Sequence, residues 1–214
     1  MAKPIFTADF TFETAAFARG YSIVAGIDEV GRGPLAGPVV AAAVILDPKN
    51  IPAGLADSKT LTAAKRDRLY DLITAAAEWS IGAASVEEID RLNILRASHL
   101  AMERAVTDLA RQPSHLLIDG NLIPAGLQGR AQPIVKGDAK SLSIAAASIV
   151  AKVTRDRIMV DLAQQYPGYG WEVNAGYPVP KHLKALLDLG VTAVHRRSFR
   201  PVHNILYQGK YVSG

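Results

Sequence analysis

The chain has 214 residues, 49% of them hydrophobic and 21% charged, which is typical of a soluble globular protein with one sizeable core. It contains no cysteine, so disulfides, thiolate metal sites and cysteine nucleophiles are excluded, and a reducing cytoplasm is the expected compartment. Lys and Arg number 24 against 20 Asp and Glu, a mild basic excess that suits a polyanionic partner without identifying one.

The amino-terminal segment predicts neither export nor membrane insertion. Lys3, Asp9 and Glu13 interrupt the first 21 residues, so no continuous apolar signal sequence is present. Every apolar run elsewhere is broken by Gly, Pro or a charge before the roughly 18 residues that a membrane span needs. We therefore expect a cytoplasmic protein with no membrane contact.

The first half of the chain predicts three strands and one helix. Residues 22–29 and 39–46 are short apolar runs typical of buried strands, and a Gly- and Pro-rich link joins them. Thr62 is placed to cap a helix with apolar residues at helical spacing. A third strand is predicted at residues 79–84.

The second half predicts strands that alternate with helices. Ser85 and Glu88 form a capping-box pattern, which predicts a helix whose apolar stripe continues through Leu95 to Met102. The later elements are a strand at 115–119, a strand at 133–136, an alanine-rich helix from about Leu142 to Gln165, and a helix ending at Gly190.

This order of elements predicts an α/β fold, in which a mixed sheet is flanked by helices and followed by a helical carboxy-terminal extension. We expect residues 1–20 to form an amino-terminal segment, residues 21–170 the core, and residues 171–214 the extension packed on that core. All three parts would belong to a single domain.

One motif in the first link points to a different fold. The run from Gly31 to Ala36 matches the dinucleotide fingerprint G-x-G-x-x-A after a strand. A Rossmann fold needs a full helix before the next strand, but the next apolar run has begun by Val39. The segment is therefore interpreted as a Gly-rich turn whose amides can approach a ligand closely.

Four acidic residues follow apolar segments: Asp28, Glu29, Asp119 and Asp138. Taken singly, each fits an ordinary role in a turn, at a helix start or in solvent. Strand ends that share one sheet edge would instead bring them together, and such a cluster needs protons, cationic side chains or metal. Neighbouring strand residues point to opposite faces, so Asp28 and Glu29 share one site only where extension breaks near Gly31.

Oxygen ligands of this kind favour Mg²⁺ or Mn²⁺ over Zn²⁺. Two such ions roughly 4 Å apart activate a water molecule and stabilise the leaving oxygen of an in-line phosphoryl displacement. The acidic cluster thus indicates nuclease chemistry. None of the five histidines has metal-ligand spacing, and most are interpreted as structural. His182 and His195 lie in a basic carboxy-terminal region with Lys181, Lys184, Arg196, Arg197 and Arg200, which without the acidic residues would be interpreted as a solvated surface.

Ordered sequence blocks resemble those of the bacterial ribonuclease HII family. The longest is residues 26–39, GIDEVGRGPLAGPV, and the resemblance runs from about Val24 to Val202. The later blocks are Asp57-Ser58-Lys59, Leu92-Asn93-Ile94-Leu95, Ile118-Asp119-Gly120-Asn121, Lys136-Gly137-Asp138, residues 145–156, Gly176-Tyr177-Pro178 and residues 195–199. Gly-Arg-Gly in place of Gly-Lys-Gly, with a short amino-terminal segment, separates the chain from ribonuclease HIII.

The resemblance implies a ribonuclease H-like core and a metal-dependent endoribonuclease. Such an enzyme would cleave the RNA strand of RNA–DNA hybrids, cut 5′ of single ribonucleotides in duplex DNA, and leave 3′-hydroxyl and 5′-phosphate ends. The acids implied to be both catalytic and metal-binding, with two Mg²⁺ or Mn²⁺ ions, are Asp28, Glu29, Asp119 and Asp138. A monomer is expected.

The resemblance also implies a set of substrate contacts. Gly31, Arg32 and Gly33 resemble the turn whose backbone reads the 2′-hydroxyl of one ribonucleotide, the group that distinguishes RNA from DNA. Tyr177 resembles the aromatic residue that packs on the adjacent deoxyribose, and Lys59 resembles a phosphate contact. For Arg196 and Arg197, in the basic region, we expect an effect on salt-dependent affinity.

Two positions depart from the family pattern, with Ala139 where Ser is frequent and Val179 where Thr is usual. At both positions the hydroxyl group of the family pattern is missing, so any contact that this hydroxyl makes is in doubt. Neither change replaces one of the four acidic residues. Two alternatives to the ribonuclease stay open: a non-catalytic module that binds RNA–DNA hybrids, and a recombinase-like enzyme on the same fold.

Overall fold

The computed structural model describes residues 8–207, in which five strands form one mixed sheet in the order β3-β2-β1-β4-β5. The strands are β1 Val24–Val30, β2 Val39–Ile45, β3 Glu78–Ala84, β4 His115–Asp119 and β5 Ala131–Ile134. β1, β2 and β3 pair antiparallel, whereas β4 and β5 run parallel to β1. The carboxyl ends of β1, β4 and β5 consequently share one edge of the sheet.

Eight α-helices occur in the described part of the chain. They are α1 Thr11–Ala18, α2 Ala63–Ala76, α3 Val86–Leu92, α4 Ile94–Thr107, α5 Leu142–Gln165, α6 Trp171–Asn174, α7 Pro180–Leu189 and α8 Arg200–Tyr207. Within residues 8–207, no helix combines the length and the apolar character needed to cross a membrane. The α/β class and the helical carboxy-terminal extension are confirmed by this arrangement.

Helices cover both faces of the sheet at short range. α4 packs over β2 and β3 on one face, and α5 packs over β1 and β2 on the other. A side chain at Gly26 would overlap the backbone of Ser143 in α5, and one at Gly82 would overlap the backbone of Ala101 in α4. The alanine-rich composition of α5 serves the same close approach, which fixes α5 against the strand that carries Asp28.

The predicted capping box is present, but the helix that it opens is shorter than expected. Ser85 accepts from the backbone N–H of Glu88 while the Glu88 carboxylate accepts from the N–H of Ser85. The helix ends at Leu92 because Asn93 adopts φ +70°, and the Asn93 side chain then caps α4. One predicted helix is thus two, since an αL-tolerant Asn interrupts a continuous apolar stripe.

Other differences concern element limits and short helices. β5 lies at Ala131–Ile134 rather than at 133–136, and α1, α6 and α8 have no counterpart among the predicted elements. The buried Glu13 of α1 accepts hydrogen bonds from the hydroxyl of Ser141 and the N–H of Ser143, at the start of α5. The link at residues 31–38 forms no helix and joins antiparallel strands, as the argument against a Rossmann fold required.

Candidate functional site

Three of the four predicted acids meet at the shared edge of the sheet. Asp28 lies near the end of β1, Asp119 is the last residue of β4, and Asp138 lies in a 3₁₀ turn that follows β5. One carboxylate oxygen from each residue lies within 4.8 Å of the others. The prediction that strand-end acids converge is therefore correct for these three residues.

Backbone geometry holds the second and third of these acids in place. Asp119 accepts a hydrogen bond of 2.7 Å from the N–H of Gly137, which ties the end of β4 to the 3₁₀ turn. Lys136 before it adopts φ +57° and so turns the chain sharply after β5. A Cβ at Gly137 would lie 2.6 Å from Ile144 in α5, so a larger residue would displace the turn that presents Asp138.

Glu29 stands apart from the cluster of three acids. β1 pairs regularly with β2 through Val30, with Asp28 opposite Ala42 and Glu29 opposite Ala41, so the expected break in extension does not occur between the two acids. The Glu29 carboxylate instead accepts from the guanidinium of Arg32 at 3.2 Å. It lines a cleft with Arg32 and Asp119 and is not one of the three carboxylates that lie within 4.8 Å of one another.

The electrostatics of the cluster show crowded negative charge. Burial raises the pKa of Asp28 well above its usual range, and the charges of Glu29, Asp119 and Asp138 raise it further. Burial and the charge of Asp119 also raise the pKa of Asp138. Oxygen donors held this close suit a divalent cation, and they form the one group in residues 8–207 able to hold a metal ion with three such ligands.

Lys59 is the cation nearest to this cluster. Its ammonium nitrogen lies 3.7 Å from Asp138, and most of its side chain is exposed. Partial burial lowers the pKa of Lys59, but the carboxylates of Asp28 and Asp138 outweigh that effect and leave the pKa above its usual value. Asp57 holds the preceding turn by accepting from the N–H of Lys59.

A buried arginine organises the Gly-Arg-Gly turn. Arg196 has no exposed surface, and its guanidinium donates to the carbonyls of Gly31 at 2.6 Å, Arg32 at 3.1 Å, Gly37 at 3.0 Å and Pro38 at 3.2 Å. Desolvation lowers its pKa to about 9, which leaves the side chain charged at neutral pH. The turn is thus folded around a fixed cation from the far end of the chain.

The inward carbonyls determine where the amides of the turn point. In a trans peptide the C=O and the following N–H lie on opposite sides of the bond. Because the carbonyls of Gly31 and Arg32 face the buried guanidinium of Arg196, the N–H groups of Arg32 and Gly33 are directed away from it. The turn therefore presents two backbone donors on its outer side.

Arg155 joins the same turn to the carboxy-terminal extension. It is fully buried in α5 and donates to the carbonyls of Ala36, Pro38 and Ala175 at 3.0–3.1 Å. Gly31 passes directly over its guanidinium with φ +92°, where any side chain would overlap Arg155. Within residues 8–207 no ion pair involves Arg155, so carbonyl dipoles stabilise its charge.

Tyr177 lies beside the turn on the outer side. A Cβ at Gly33 would be 3.2 Å from the Tyr177 ring, so the absence of a side chain leaves room for the ring. The N–H of Leu35 donates to the carbonyl of Gly176 at 2.8 Å, and this bond holds the turn next to the segment that carries Tyr177. The ring itself is 41% exposed and faces solvent beside Gly33.

Comparison with known proteins identifies the family of this fold and site. The family model described as ribonuclease HII matches residues 25–202. This chain belongs to the ribonuclease HII family. Ribonuclease HII of Ruegeria pomeroyi is 68% identical over 200 residues, covering 94% of this chain and 86% of that protein. Ribonuclease HII of Paracoccus denitrificans is 65% identical, with 92% and 94% covered.

A solved structure supports the same conclusion about the fold. The crystal structure of ribonuclease H2 from Pyrococcus horikoshii superposes with a TM-score of 0.73 at 31% identity, covering 87% of this chain and 98% of that one. The recognition of ribonuclease HII from the ordered blocks, and with it the assignment to a ribonuclease enzyme, is confirmed. The five-stranded sheet and its flanking helices are similar to those of that ribonuclease H2.

Three residues of the basic carboxy-terminal region, for which a solvated surface was the ordinary interpretation, are buried. Arg196 holds the turn from inside, and His182 and His195 are both fully enclosed. Lys181, Lys184, Arg197 and Arg200 of the same region are exposed. Arg155 also had no predicted role, although one signal was present: Ala147, Ala151 and Met159 follow the same four-residue spacing and are all buried, which places Arg155 on a core face.

Proposed function

We propose that this member of the ribonuclease HII family is a divalent-metal-dependent endoribonuclease that cleaves the RNA strand of RNA–DNA hybrids and cuts 5′ of single ribonucleotides embedded in duplex DNA. Its products carry 3′-hydroxyl and 5′-phosphate ends. The observation that supports this most directly is the cluster of Asp28, Asp119 and Asp138 beside a turn with outward-facing amides.

The donor set fits Mg²⁺ or Mn²⁺. Asp28, Asp119 and Asp138 offer hard oxygen ligands, and burial together with the charges of the neighbouring acids raises the pKa of Asp28 despite the opposing charge of Lys59. Divalent ions, when bound, lower the pKa of water and neutralise the charge that develops on a leaving oxygen. Glu29 approaches from the cleft side, so we propose that it completes the ligand set once nucleic acid is bound.

The chain's own residues then orient the substrate around that centre. The Arg32 and Gly33 amides are placed to donate to a ribose 2′-hydroxyl, a contact that DNA lacks. Tyr177 offers an exposed aromatic face for packing against the neighbouring sugar. Lys59, exposed and next to Asp138, is placed to contact a backbone phosphate without reading sequence.

The test is cleavage of an end-labelled DNA duplex with one embedded ribonucleotide, beside an all-DNA duplex and a continuous RNA–DNA hybrid. We expect cutting with Mg²⁺ or Mn²⁺, none with chelator, and none of the all-DNA duplex. Asp28→Asn and Asp119→Asn should lose at least about a hundredfold in rate, while Asp161→Asn, on the exposed face of α5, should retain it.

The end groups and binding distinguish the alternatives. A labelled product that a ligase accepts carries the predicted 3′-hydroxyl and 5′-phosphate. If hybrid is bound tightly without cleavage in either metal, the protein is a binding module and the proposed reaction is wrong. Strand-transfer products from all-DNA ends would instead support the recombinase-like alternative.

A further inference from the structure

Two fully buried histidines in the carboxy-terminal extension lie between the core of that extension and Tyr177. His182 is the third residue of α7, and His195 precedes Arg196. Their rings are 5.4 Å apart and pack against the indole of Trp171. Neither residue has a part in the chemistry proposed above.

The hydrogen bonds around the pair define one protonation pattern. Nδ1 of His195 lies 3.0 Å from the backbone nitrogen of Thr192, which can only donate, and 2.8 Å from its hydroxyl oxygen, which can do either; with Nδ1 as the acceptor, the proton of His195 lies on Nε2. Trp171 donates its indole N–H to Nε2 of His182 at 3.0 Å, and Nε2 of His195, 3.2 Å from the same nitrogen, shares its single lone pair. His182 must then carry its own proton on Nδ1.

With its proton on Nδ1, His182 can donate a hydrogen bond to the backbone of Tyr177. Its Nδ1 lies 2.9 Å from the carbonyl oxygen of Tyr177, and the N–H of Val179 donates to the same oxygen at 2.8 Å. A hydrogen-bonded chain therefore runs from Thr192 through both histidines to the backbone of Tyr177. Burial keeps both rings neutral, because it lowers the pKa of His182 and lowers that of His195 to about 3.

We propose that His182 and His195 are positioning residues, whose fixed hydrogen-bonded chain holds the Tyr177 backbone so that its ring stays against Gly33. A single ribonucleotide in DNA is followed by a deoxyribose, and the Tyr177 ring is proposed to pack on that sugar. The placement of the ring then determines how fast such sites are cut relative to continuous RNA–DNA hybrid. This inference rests on the proposed function, specifically on the sugar contact assigned to Tyr177.

Two substitutions of His182 separate positioning from packing. The amide nitrogen of Asn reaches the place of Nδ1 and can still donate to Tyr177, whereas the amide of Gln reaches the place of Nε2 and cannot. We expect His182→Gln to lower the ratio of kcat/KM on the single-ribonucleotide duplex to kcat/KM on hybrid by about tenfold to a hundredfold, the loss that slight misplacement produces. His182→Asn should keep that ratio within about twofold.

A double-mutant cycle with Tyr177→Ala tests whether the effect passes through Tyr177. In that background His182→Gln should leave the ratio unchanged, because the ring that it positions is gone. Thermal unfolding establishes that each variant is folded at the assay temperature. If His182→Gln does not fold, His195→Leu carries the test, since it removes the donor to His182 and should lower the ratio in the same direction.

The outcomes separate this inference from the proposed function. If wild-type protein does not cut at the ribonucleotide, the proposed function is wrong. If wild-type protein cuts there, but folded His182→Gln, or His195→Leu in its place, keeps the wild-type ratio, the positioning role is wrong. An equal fall of both rates in His182→Asn and His182→Gln would likewise assign the pair to stability alone.

Discussion

The guanidinium of Arg196 donates to the carbonyl of Gly31 at 2.6 Å, across 165 positions of the sequence. The same side chain holds three further carbonyls of the link between β1 and β2. A loop that is rich in glycine and has few side chains of its own is thereby given one conformation. The outward direction of its amides is a property of Arg196 as much as of the Gly-Arg-Gly motif.

Arg196→Lys is expected to destabilise the protein by about 2–4 kcal/mol, because an ammonium group cannot reproduce the planar fork that reaches four carbonyls. Urea unfolding measures the difference. Arg197→Lys is the matched control, since the Arg197 side chain is exposed and its stability effect should stay within about 0.5 kcal/mol. Equal stability of both variants would mean that the four bonds to the turn contribute little.

Asp28→Asn is expected to stabilise the metal-free protein by about 1–2 kcal/mol, because it removes one charge from a crowded, buried cluster. The pKa of Asp28 is raised on folding, so its ionisation favours the unfolded chain. The advantage of Asn should vanish well below pH 3.8 and grow as pH rises. Unfolding curves across pH, with Asp161→Asn as control, measure this, and a constant or negative difference would contradict it.

The same variant should respond less to divalent ions. A ligand that binds only the folded state raises the unfolding temperature with concentration. Mg²⁺ or Mn²⁺ should therefore raise the midpoint of wild-type unfolding, and Asp28→Asn should lose most of that rise. A variant with the full wild-type rise would place the metal elsewhere.

Gly33→Ala and Gly31→Ala are expected to fail in different ways. At Gly33 the added methyl meets only the Tyr177 ring at 3.2 Å, so we expect stability within about 1 kcal/mol of wild type and weaker cleavage at single ribonucleotides. At Gly31 the φ of +92° and the overlap with Arg155 should cost more than about 2 kcal/mol. Unfolding and cleavage assays on the pair separate the two effects, and similar stability losses would contradict the prediction.

Val179→Thr is expected to stabilise the protein by about 1 kcal/mol. Val179 occupies the N-cap of α7 with φ −78° and ψ 158°, close to the values of Thr62 and Ser85, whose side chains cap their helices. A hydroxyl at this position would accept from the N–H of His182, three residues on. Urea unfolding against Val179→Ala, which lacks the hydroxyl, shows whether the cap forms, and no gain over Ala would contradict it.

The acidic residues could be predicted from sequence because strand ends are local features. Asp119 ends an apolar run and is followed by Gly, so both the end of β4 and the place of the carboxylate follow from neighbouring residues. Parallel pairing then brings it to the edge that carries Asp28. The side on which the Glu29 side chain lies depends instead on whether β1 stays regular past Asp28. The pairing of β1 with β2 determines this, and that pairing cannot be seen in the local sequence.

The residues that were misplaced depend on partners far along the chain. Arg196 lies in a basic run that is typical of a surface, and only the distant carbonyls of residues 31–38 explain its burial. The Nε2 atoms of His182 and His195 lie within hydrogen-bond distance of each other, and no local sequence pattern predicts this contact. Asn93 is different, because its tolerance of positive φ was visible but an unbroken apolar stripe concealed it.

The bond between Gly31 and Arg196 also orders events during synthesis. Asp28, Asp119 and Asp138 are all translated before Arg155 and Arg196, so the acidic edge of the sheet can form while the Gly-Arg-Gly turn still lacks both of its buried cations. Chain-terminating changes upstream of residue 196 would leave that turn unshaped even if the sheet folds. Because such long-range contacts form late, a segment translated after the sheet completes a turn that was translated well before it.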